Sequence, residues 1–599
     1  MEGRQEEGEM DLRPKYLKYI SFCLAVCMGA VTACSPSSSP GSGEKPMPEA
    51  SSNWVEEQLK NMSLEEKIGQ MFIVGFKGKG GNEQALTVNE QAKTLIEDYH
   101  VGGMIYFDRN VESPNQVAKL SNDLQKLALS SERKIPLFIT VDQEGGKVAR
   151  FKEGFTAFPG NMALGATQNK ELAYQTGKQM GKELRAVGVN LNMAPVLDVN
   201  NNPENPVIGV RSFSEDPGLT AELGAELIRG FHDSGIYTIA KHFPGHGDTA
   251  VDSHVGLPEI SHSMERLNQV ELVPFKKAVS QGTDMVMSTH IIFPAIEKEP
   301  GIPATLSEKV LTGLLRKQLN YDGIIITDDM EMGAIAENFG TREAVVRAIK
   351  AGADIVLVCH SLERQTQSIE AVKQAVEKGE IDEARIDESV RRILRLKAKD
   401  AFLKQPYADV EKATELSNRL EAEKVARQTA EQGVTLVKDP AQHIPLKPEN
   451  AKKLAVFTVN KPQAIAEVLK QNGYEADVNY VDSLKKTQVP ALAEKAGNAD
   501  AALVVINQVK ENPAWIDLIQ TLHAKRIPVI VWGMDVPYGL DQLPEGVTSI
   551  ALYGSSRPLL EAGAKIMAGR IQSQGRLPVT LSKQYPFGWP GQESGNQGG

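Results

Sequence analysis

Cysteine is scarce in this chain. There are four, and three of them (Cys23, Cys27 and Cys34) fall near the N-terminus, leaving Cys359 alone in the rest. That excludes a disulfide framework and a thiolate metal centre for the body of the protein. Cys359 follows the apolar run Ile355–Val358 and reads as a core thiol. Positive charge is in deficit as well: 66 Lys and Arg stand against 77 Asp and Glu, a net charge of −11. A surface of that sign does not suit a phosphate backbone, so nucleic acid is excluded as the main partner, while a neutral ligand is compatible with it. Long apolar runs are also missing. The stretch Ile20–Ala33 is shorter than the roughly 20 residues a membrane-spanning helix needs. What is present is an ordinary globular composition, and 599 residues exceed one hydrophobic core, so roughly two to four domains are expected.

The N-terminus is an address rather than a structure. Arg13, Lys15 and Lys18 precede Ile20–Ala33, a positive segment followed by an apolar one of signal-peptide length. The run closes on Val31-Thr32-Ala33-Cys34, which resembles a bacterial lipobox. Residues 1–33 are therefore expected to be a lipoprotein signal peptide, with Cys34 the lipid-modified first residue of the mature chain. A plain secretory signal with an incidental cysteine is the alternative. The Ser/Pro/Gly stretch Ser35–Gly43 makes residues 34–53 a flexible tether. The protein should then lie outside the cytoplasm, anchored by lipid to the membrane on its cell-wall side. The acidic segment Met1–Glu9 is wrong for the start of a signal, so translation is expected to begin at Met10.

From about Trp54, short apolar runs alternate with amphipathic helical stretches. Ser63-x-x-Glu66 is a capping box opening the first of these. Candidate strands follow at Met71–Gly75, Gly102–Phe107, Leu137–Asp142, Asn190–Val196, Thr238–His242, Met285–His290, Gly323–Thr327 and Asp354–Val358. Eight strands with helices between them predict a (β/α)₈ TIM-type barrel over residues 54–405, an α/β fold. Such a barrel places its chemistry at the C-terminal ends of its strands, and Asp142, Arg211, Lys241, His242, His290 and Asp328 all cluster at or beyond those ends. A helical linker, residues 406–432, leads to a second alternating segment. Its candidate strands include Gly433–Lys438, Leu454–Thr458, Ala501–Ile506, Pro528–Trp532 and Val547–Tyr553, with helices at Gln463–Gln471 and Pro558–Ala568. This predicts a smaller α/β sandwich domain over residues 433–585, without a catalytic constellation, and a disordered Gly-rich tail, residues 586–599.

Three segments carry chemistry. The densest is Lys241-His242-Phe243-Pro244-Gly245-His246-Gly247-Asp248, continuing to Asp252-Ser253-His254. Pro and Gly forbid a continuous helix, so this is a loop at the barrel mouth. Two functions compete for it. His242, His246, Asp248, Asp252 and His254 are all possible metal ligands. Alternatively Asp252 orients His254: in an extended segment residues i and i+2 share a side, so the carboxylate can accept the Nδ1–H and free Nε2 for proton transfer. The bland alternative is histidines that satisfy loop backbone groups. The second segment, Ile324-Ile325-Ile326-Thr327-Asp328-Asp329, delivers a carboxylate at the end of an apolar strand. Alternation lets only one of the two Asp face the barrel axis, and a rigid carboxylate there suits attack on an anomeric carbon; a helix N-cap is the competing role. The third, Val141-Asp142-Gln143-Glu144-Gly145-Gly146-Lys147-Val148-Ala149-Arg150, is a Gly-containing loop in which Asp142 could accept from hydroxyls and Arg150 donate.

Together these segments resemble glycoside hydrolase family 3, within its bacterial β-N-acetylglucosaminidases. VDQEGGKVARF, RSFSEDP, KHFPGHGDTAVDSH and ITDDMEM occur in the family's order between about Trp54 and Leu581, and the string KHFPGHG with a following DSH is the most specific. The resemblance implies Asp328 as nucleophile, His254 as acid/base and Asp252 as its partner. It implies Asp142, Arg150, Arg211, Lys241 and His242 as sugar-binding residues, and neither metal nor cofactor. It further implies peptidoglycan-derived saccharides as partners, with GlcNAc β-1,4-linked to N-acetylmuramic acid, and a retaining reaction in which a His replaces one of the usual two carboxylates. Asp252 is expected to stabilise the imidazolium. A phosphorylase is an alternative, because a His acid/base would repel phosphate less than a Glu. A β-glucosidase or β-xylosidase, and a surface lipoprotein that binds sugar without cleaving it, are the others.

Overall fold

The computed structural model describes residues 49–78, 80, 84–399, 403–416, 420–510 and 512–591. The signal segment, Cys34 and most of the tether lie outside the described residues. The tether is shorter than expected at its C-terminal end, because a helix already runs from Glu49 to Asn61. Its apolar side explains this: Val55 and Leu59 are buried, and Glu56 pairs with Arg391 on the helix Glu383–Lys397. The next helix starts on the expected capping box, with Glu66 donating its N–H to Ser63 Oγ and Ser63 donating its own to Glu66 Oε2.

Eight strands close into a barrel: β1 (Phe72–Val74), β2 (Gly103–Tyr106), β3 (Phe138–Val141), β4 (Leu191–Asn192), β5 (Tyr237–Phe243), β6 (Met285–Ser288), β7 (Ile324–Asp329) and β8 (Ile355–Val358). Each pairs in parallel with its sequence neighbours, and β8 returns to β1. The eight expected strands are these eight. Most are buried from end to end, which is why they read as continuous apolar runs rather than alternating ones. The largest shift is in β4, which pairs only over Leu191–Asn192. The chain beyond it stays extended and meets β5 again in a bridge between Val196 and Lys241. At the opposite, N-terminal end, buried Asp354 accepts from Arg316 Nη2 at 2.6 Å, Ser389 Oγ at 2.8 Å and the Ile325 N–H at 3.0 Å, fastening β7 and β8 to the outer helices. That end of a barrel serves stability.

The second domain is a six-stranded sheet: β9 (Thr435–Lys438), β10 (Lys453–Thr458), β11 (Glu475–Tyr480), β12 (Ala501–Ile506), β13 (Val529–Gly533) and β14 (Thr548–Ala551). The order is β9-β14-β13-β12-β10-β11, parallel except for the edge strand β9. The sequence reading missed β11. It is a polar edge strand with alternating exposure and carries no apolar run. The helix Leu420–Gly433 is more than a linker: it packs on Asn161–Thr167 and Lys170–Ala186 of the barrel and on Arg557–Met567 of the second domain. The tail expectation is corrected over its first residues. Residues 586–591 fold back, with the Gly588 N–H donating to Leu577 O and the Leu577 N–H to Trp589 O, and Trp589 packs edge-on against Tyr585. Among the described residues no helix is long and apolar enough to cross a membrane.

Candidate active site

The C-terminal mouth of the barrel holds a cavity of about 550 Å³. Of the eight side chains expected to act on a sugar, all but Asp252 line it. Asp328 is the penultimate residue of β7 rather than lying after it. Its Oδ1 accepts the Asp329 N–H at 2.8 Å. Burial in the cavity opposes ionisation of Asp328, but the facing His242 and His290, the Asp329 N–H and Lys241 outweigh it and bring the carboxyl down to about 2. The strict alternation expected of Asp328 and Asp329 lapses at the strand end, and both border the cavity. Their partners separate them instead. Asp329 Oδ1 accepts the N–H groups of Glu331 and Cys359, each at 3.2 Å, so it organises the rim and caps no helix. Buried His290 donates from Nε2 to Asp329 O at 3.0 Å and meets Thr305 Oγ1 through Nδ1 at 2.9 Å, fixing the end of β7 from the other side. Cys359 is buried, as expected, at the cavity wall, and burial pushes its thiol well above the usual range.

The floor beside Asp328 is a network of charges. Lys241 Nζ donates to Asp142 Oδ1 at 2.7 Å and to Glu144 Oε1 at 2.8 Å. Arg211 forms a fork on Glu144, with Nε to Oε2 and Nη2 to Oε1 each at 2.9 Å. Burial alone would protonate Glu144, yet Arg211 and Lys241 hold its carboxyl far below the carboxylate range; the same contacts keep Lys241 charged in spite of its burial. Glu144 and Asp198 are the residues the sequence reading passed over. Glu144 had a signal, since it lies two residues beyond Asp142 and both reach the same ammonium. Asp198 had none in its own segment. It receives His242 Nδ1 at Oδ2, 2.7 Å, and the His246 N–H at Oδ1, also 2.7 Å. Asp198 thereby sets the His242 tautomer and leaves Nε2 toward the cavity. Arg150 is tied by Nη1 to Asp108 Oδ2 at 3.1 Å, and its buried Nε has no partner.

The glycines of the loop after β5 are required by close approach. A Cβ on Gly247 would lie 1.7 Å from Val199 O. Beyond it, His254 Nδ1 meets Asp252 Oδ1 at 2.7 Å, the pairing expected. The geometry that produces it differs from the expectation. The segment is a turn, not an extended strand: Asp252 Oδ1 also accepts the His254 backbone N–H at 2.8 Å, and Asp252 O accepts the N–H of Val255 and Gly256. Burial raises the Asp252 carboxyl, but the two His254 contacts outweigh it and hold the group below its ordinary value. The loop docks on the segment after β7 through the Gly333 N–H to His254 O at 3.1 Å, where a Cβ on Gly333 would stand 2.6 Å from that oxygen. His246 Nε2 meets Ser253 Oγ at 2.9 Å, bracing the turn from within. The His254 side chain is 61% exposed, at the outer rim, whereas Asp328 is half-buried at the end of β7.

The ligands of the competing metal expectation are distributed to three places. His242 and His246 gather on Asp198, Asp252 and His254 pair at the rim, and Asp248 turns away to His262. An ionised carboxylate and an exposed imidazole border one cavity at a barrel mouth, an arrangement that can supply a nucleophile and an acid/base. The model for the glycosyl hydrolase family 3 N terminal domain matches residues 63–396. A β-hexosaminidase A from Pseudoalteromonas piscicida is 32% identical, over 87% of this chain and 97% of its own. A β-hexosaminidase from Thiobacillus denitrificans is 39% identical, over 44% of this chain and 73% of its own. The solved structure of a glycoside hydrolase family 3 β-N-acetylglucosaminidase from Paenibacillus sp. superimposes with a TM-score of 0.79 at 38% identity, covering 87% of this chain and 99% of that one. The chain belongs to glycosyl hydrolase family 3 and is a glycoside hydrolase.

Proposed function

We propose that the protein is a retaining exo-β-N-acetylglucosaminidase that releases terminal GlcNAc from β-1,4-linked peptidoglycan fragments. The observation that carries this reading is the division of labour across the cavity: Asp328 is half-buried at the end of β7, ionised and hydrogen-bonded to the Asp329 N–H, while the Asp252–His254 pair stands at the solvent side. The relatives named for hexosaminides and N-acetylglucosamine support the choice of sugar. Asp142, Lys241, His242, Arg150 and Arg211 would hold the terminal ring against Asp328. Protonated His254 gives its Nε2 proton to the glycosidic oxygen as Asp328 attacks the anomeric carbon, forming a glycosyl ester and freeing the aglycone. Neutral His254 then takes a proton from water, the water displaces Asp328, and GlcNAc leaves with its β configuration retained. Placement of the imidazole at the rim suits both halves, since leaving group and water enter from solvent. Lipid attachment at Cys34 would hold this chemistry at the cell wall.

The test is product analysis on purified GlcNAc–MurNAc with and without phosphate. The reading expects free GlcNAc, first formed as the β anomer, in both conditions. GlcNAc 1-phosphate as the main product would convert the reading to a phosphorylase. A first-formed α anomer would remove the covalent intermediate.

A further inference from the structure

The loop that carries Asp252 and His254 is rooted in a second cluster of ionisable groups which the chemistry above does not use. Asp248, His262 and Glu271 each offer one ligand atom, and the three atoms lie within 4.8 Å of one another. Asp248 Oδ2 is 2.6 Å from His262 Nε2. The Glu271 side chain is 2% exposed and lies against Gly245, the first glycine of the loop. Its Oε1 accepts from Asn201 Nδ2 at 3.0 Å and faces Arg266 Nη1 at 3.2 Å. Three segments thus converge: the root of the catalytic loop, the stretch His262–Glu271 that follows it, and the loop beyond β4. None of the three cluster residues borders the cavity.

We propose that Asp248, His262 and Glu271 form a binding site for a divalent transition-metal ion, Zn²⁺ fitting best, at the root of the catalytic loop. One imidazole nitrogen and two carboxylate oxygens are a donor set for Zn²⁺ and its neighbours, whereas Ca²⁺ and Mg²⁺ take oxygen ligands throughout. Bonds of about 2.0–2.2 Å to a common tetrahedral centre place donor atoms roughly 3.3–3.6 Å apart; on entry of an ion Asp248 Oδ2 and His262 Nε2, now at 2.6 Å, part, and the set, now within 4.8 Å, draws in around it. Glu271 is the fixed member, buried and held by Asn201. Asp248 and His262 are the adjustable ones, 24% and 37% exposed, and leave room for water at the remaining coordination position. Entry of the ion releases the proton shared between Asp248 and His262 and replaces that contact with two metal bonds. Arg266, 3.2 Å from Glu271 Oε1, opposes a cation here and weakens its binding. An occupied site ties the loop root to the segment 262–271 and so stiffens the support of His254. The ion takes no part in bond cleavage, and the site stands whatever the substrate.

Full-length protein stripped with EDTA and dialysed is titrated with ZnCl₂ by calorimetry, and separately with CoCl₂ while the visible spectrum is followed. One ion per chain is expected. Affinity should fall at least tenfold in His262→Ala and in Asp248→Asn and be unchanged in His254→Ala, and visible Co²⁺ bands should appear in the native protein and be absent from His262→Ala. Zn²⁺ should raise the melting temperature of the native protein and of His254→Ala, and leave those of His262→Ala and Asp248→Asn unmoved. Asp248→Asn preserves shape and hydrogen bonding, so it decides the matter if circular dichroism shows His262→Ala to be misfolded. No saturable binding by the native protein overturns the proposal. So does binding that survives both substitutions, or binding that is lost in His254→Ala and therefore belongs to the catalytic pair.

Discussion

At the residue scale, His254 and Asp328 are made different by their surroundings. Asp328 is desolvated and faces positive groups; His254 is largely exposed and touches one carboxylate. A proton donor at the rim matters in proportion to how badly the leaving group needs the proton. His254→Ala should therefore cost on the order of 10²–10⁴-fold in kcat/KM with a disaccharide and much less with an activated aryl β-GlcNAc. Steady-state kinetics with the two substrates checks this, and equal losses would argue that His254 does not act as the acid. Which residues matter was partly legible in the sequence. Asp142, Lys241, His242 and Asp328 stand at strand ends, where barrel geometry delivers them. Glu144 and Asp198 were not legible as site residues, because their roles come from groups on other segments of the chain: Arg211 and Lys241 for one, His242 and His246 for the other. No local pattern announces a buried carboxylate whose partners lie that far along the chain.

At the element scale, the loop after β5 is held by packing rather than by regular structure. His246 is buried beneath it with Nε2 on Ser253, and burial, reinforced by the nearby His242, lowers its pKa from 6.5 to about 4. The sign follows from that depression. The unfolded chain takes up the proton first as pH falls, so the stability His246 supports is complete above about pH 6.5 and is lost progressively down to about pH 4, by about 3 kcal/mol. The melting temperature should therefore drop more steeply over that interval in the native protein than in His246→Gln. Parallel curves would contradict the burial argument. The turn at Asp252–His254 also shows why the pairing was foreseeable but its geometry was not. An Asp two residues before a His can reach the ring from an extended strand or from a side-chain-capped turn, and the turn is held by contacts from elsewhere in the chain, Gly333 on His254 O and His246 on Ser253. Likewise β7 was legible as an apolar run, but its extension through Asp329 was not, because pairing with β8 continues past the apolar residues.

At the scale of the whole molecule, the second domain lends support and no lining. Among the described residues that border the cavity none comes from beyond residue 433. Instead Tyr538 Oη receives Asn200 Nδ2 at 3.0 Å, and Asp535 pairs with Lys147 at 3.2 Å, so the domain rests on the two loops that carry Glu144 and Arg211. Alternating elements made the barrel and this domain visible in the sequence. The way one braces the other depends on side chains far apart in the chain. The lipid anchor is the remaining whole-molecule claim, and it rests on the Val31–Cys34 motif. Cys34→Ser should move the enzyme from the membrane fraction to the soluble one with unchanged turnover per molecule. Continued membrane association would point to another means of attachment.

The central claim is that Asp328 forms the bond to the sugar. Asp328→Asn keeps the shape and removes the charge that the cavity is arranged to stabilise. Turnover of an aryl β-GlcNAc should fall by at least ~10³-fold, while circular dichroism and melting temperature remain close to those of the native protein. Substantial turnover by a folded Asp328→Asn enzyme would contradict the account.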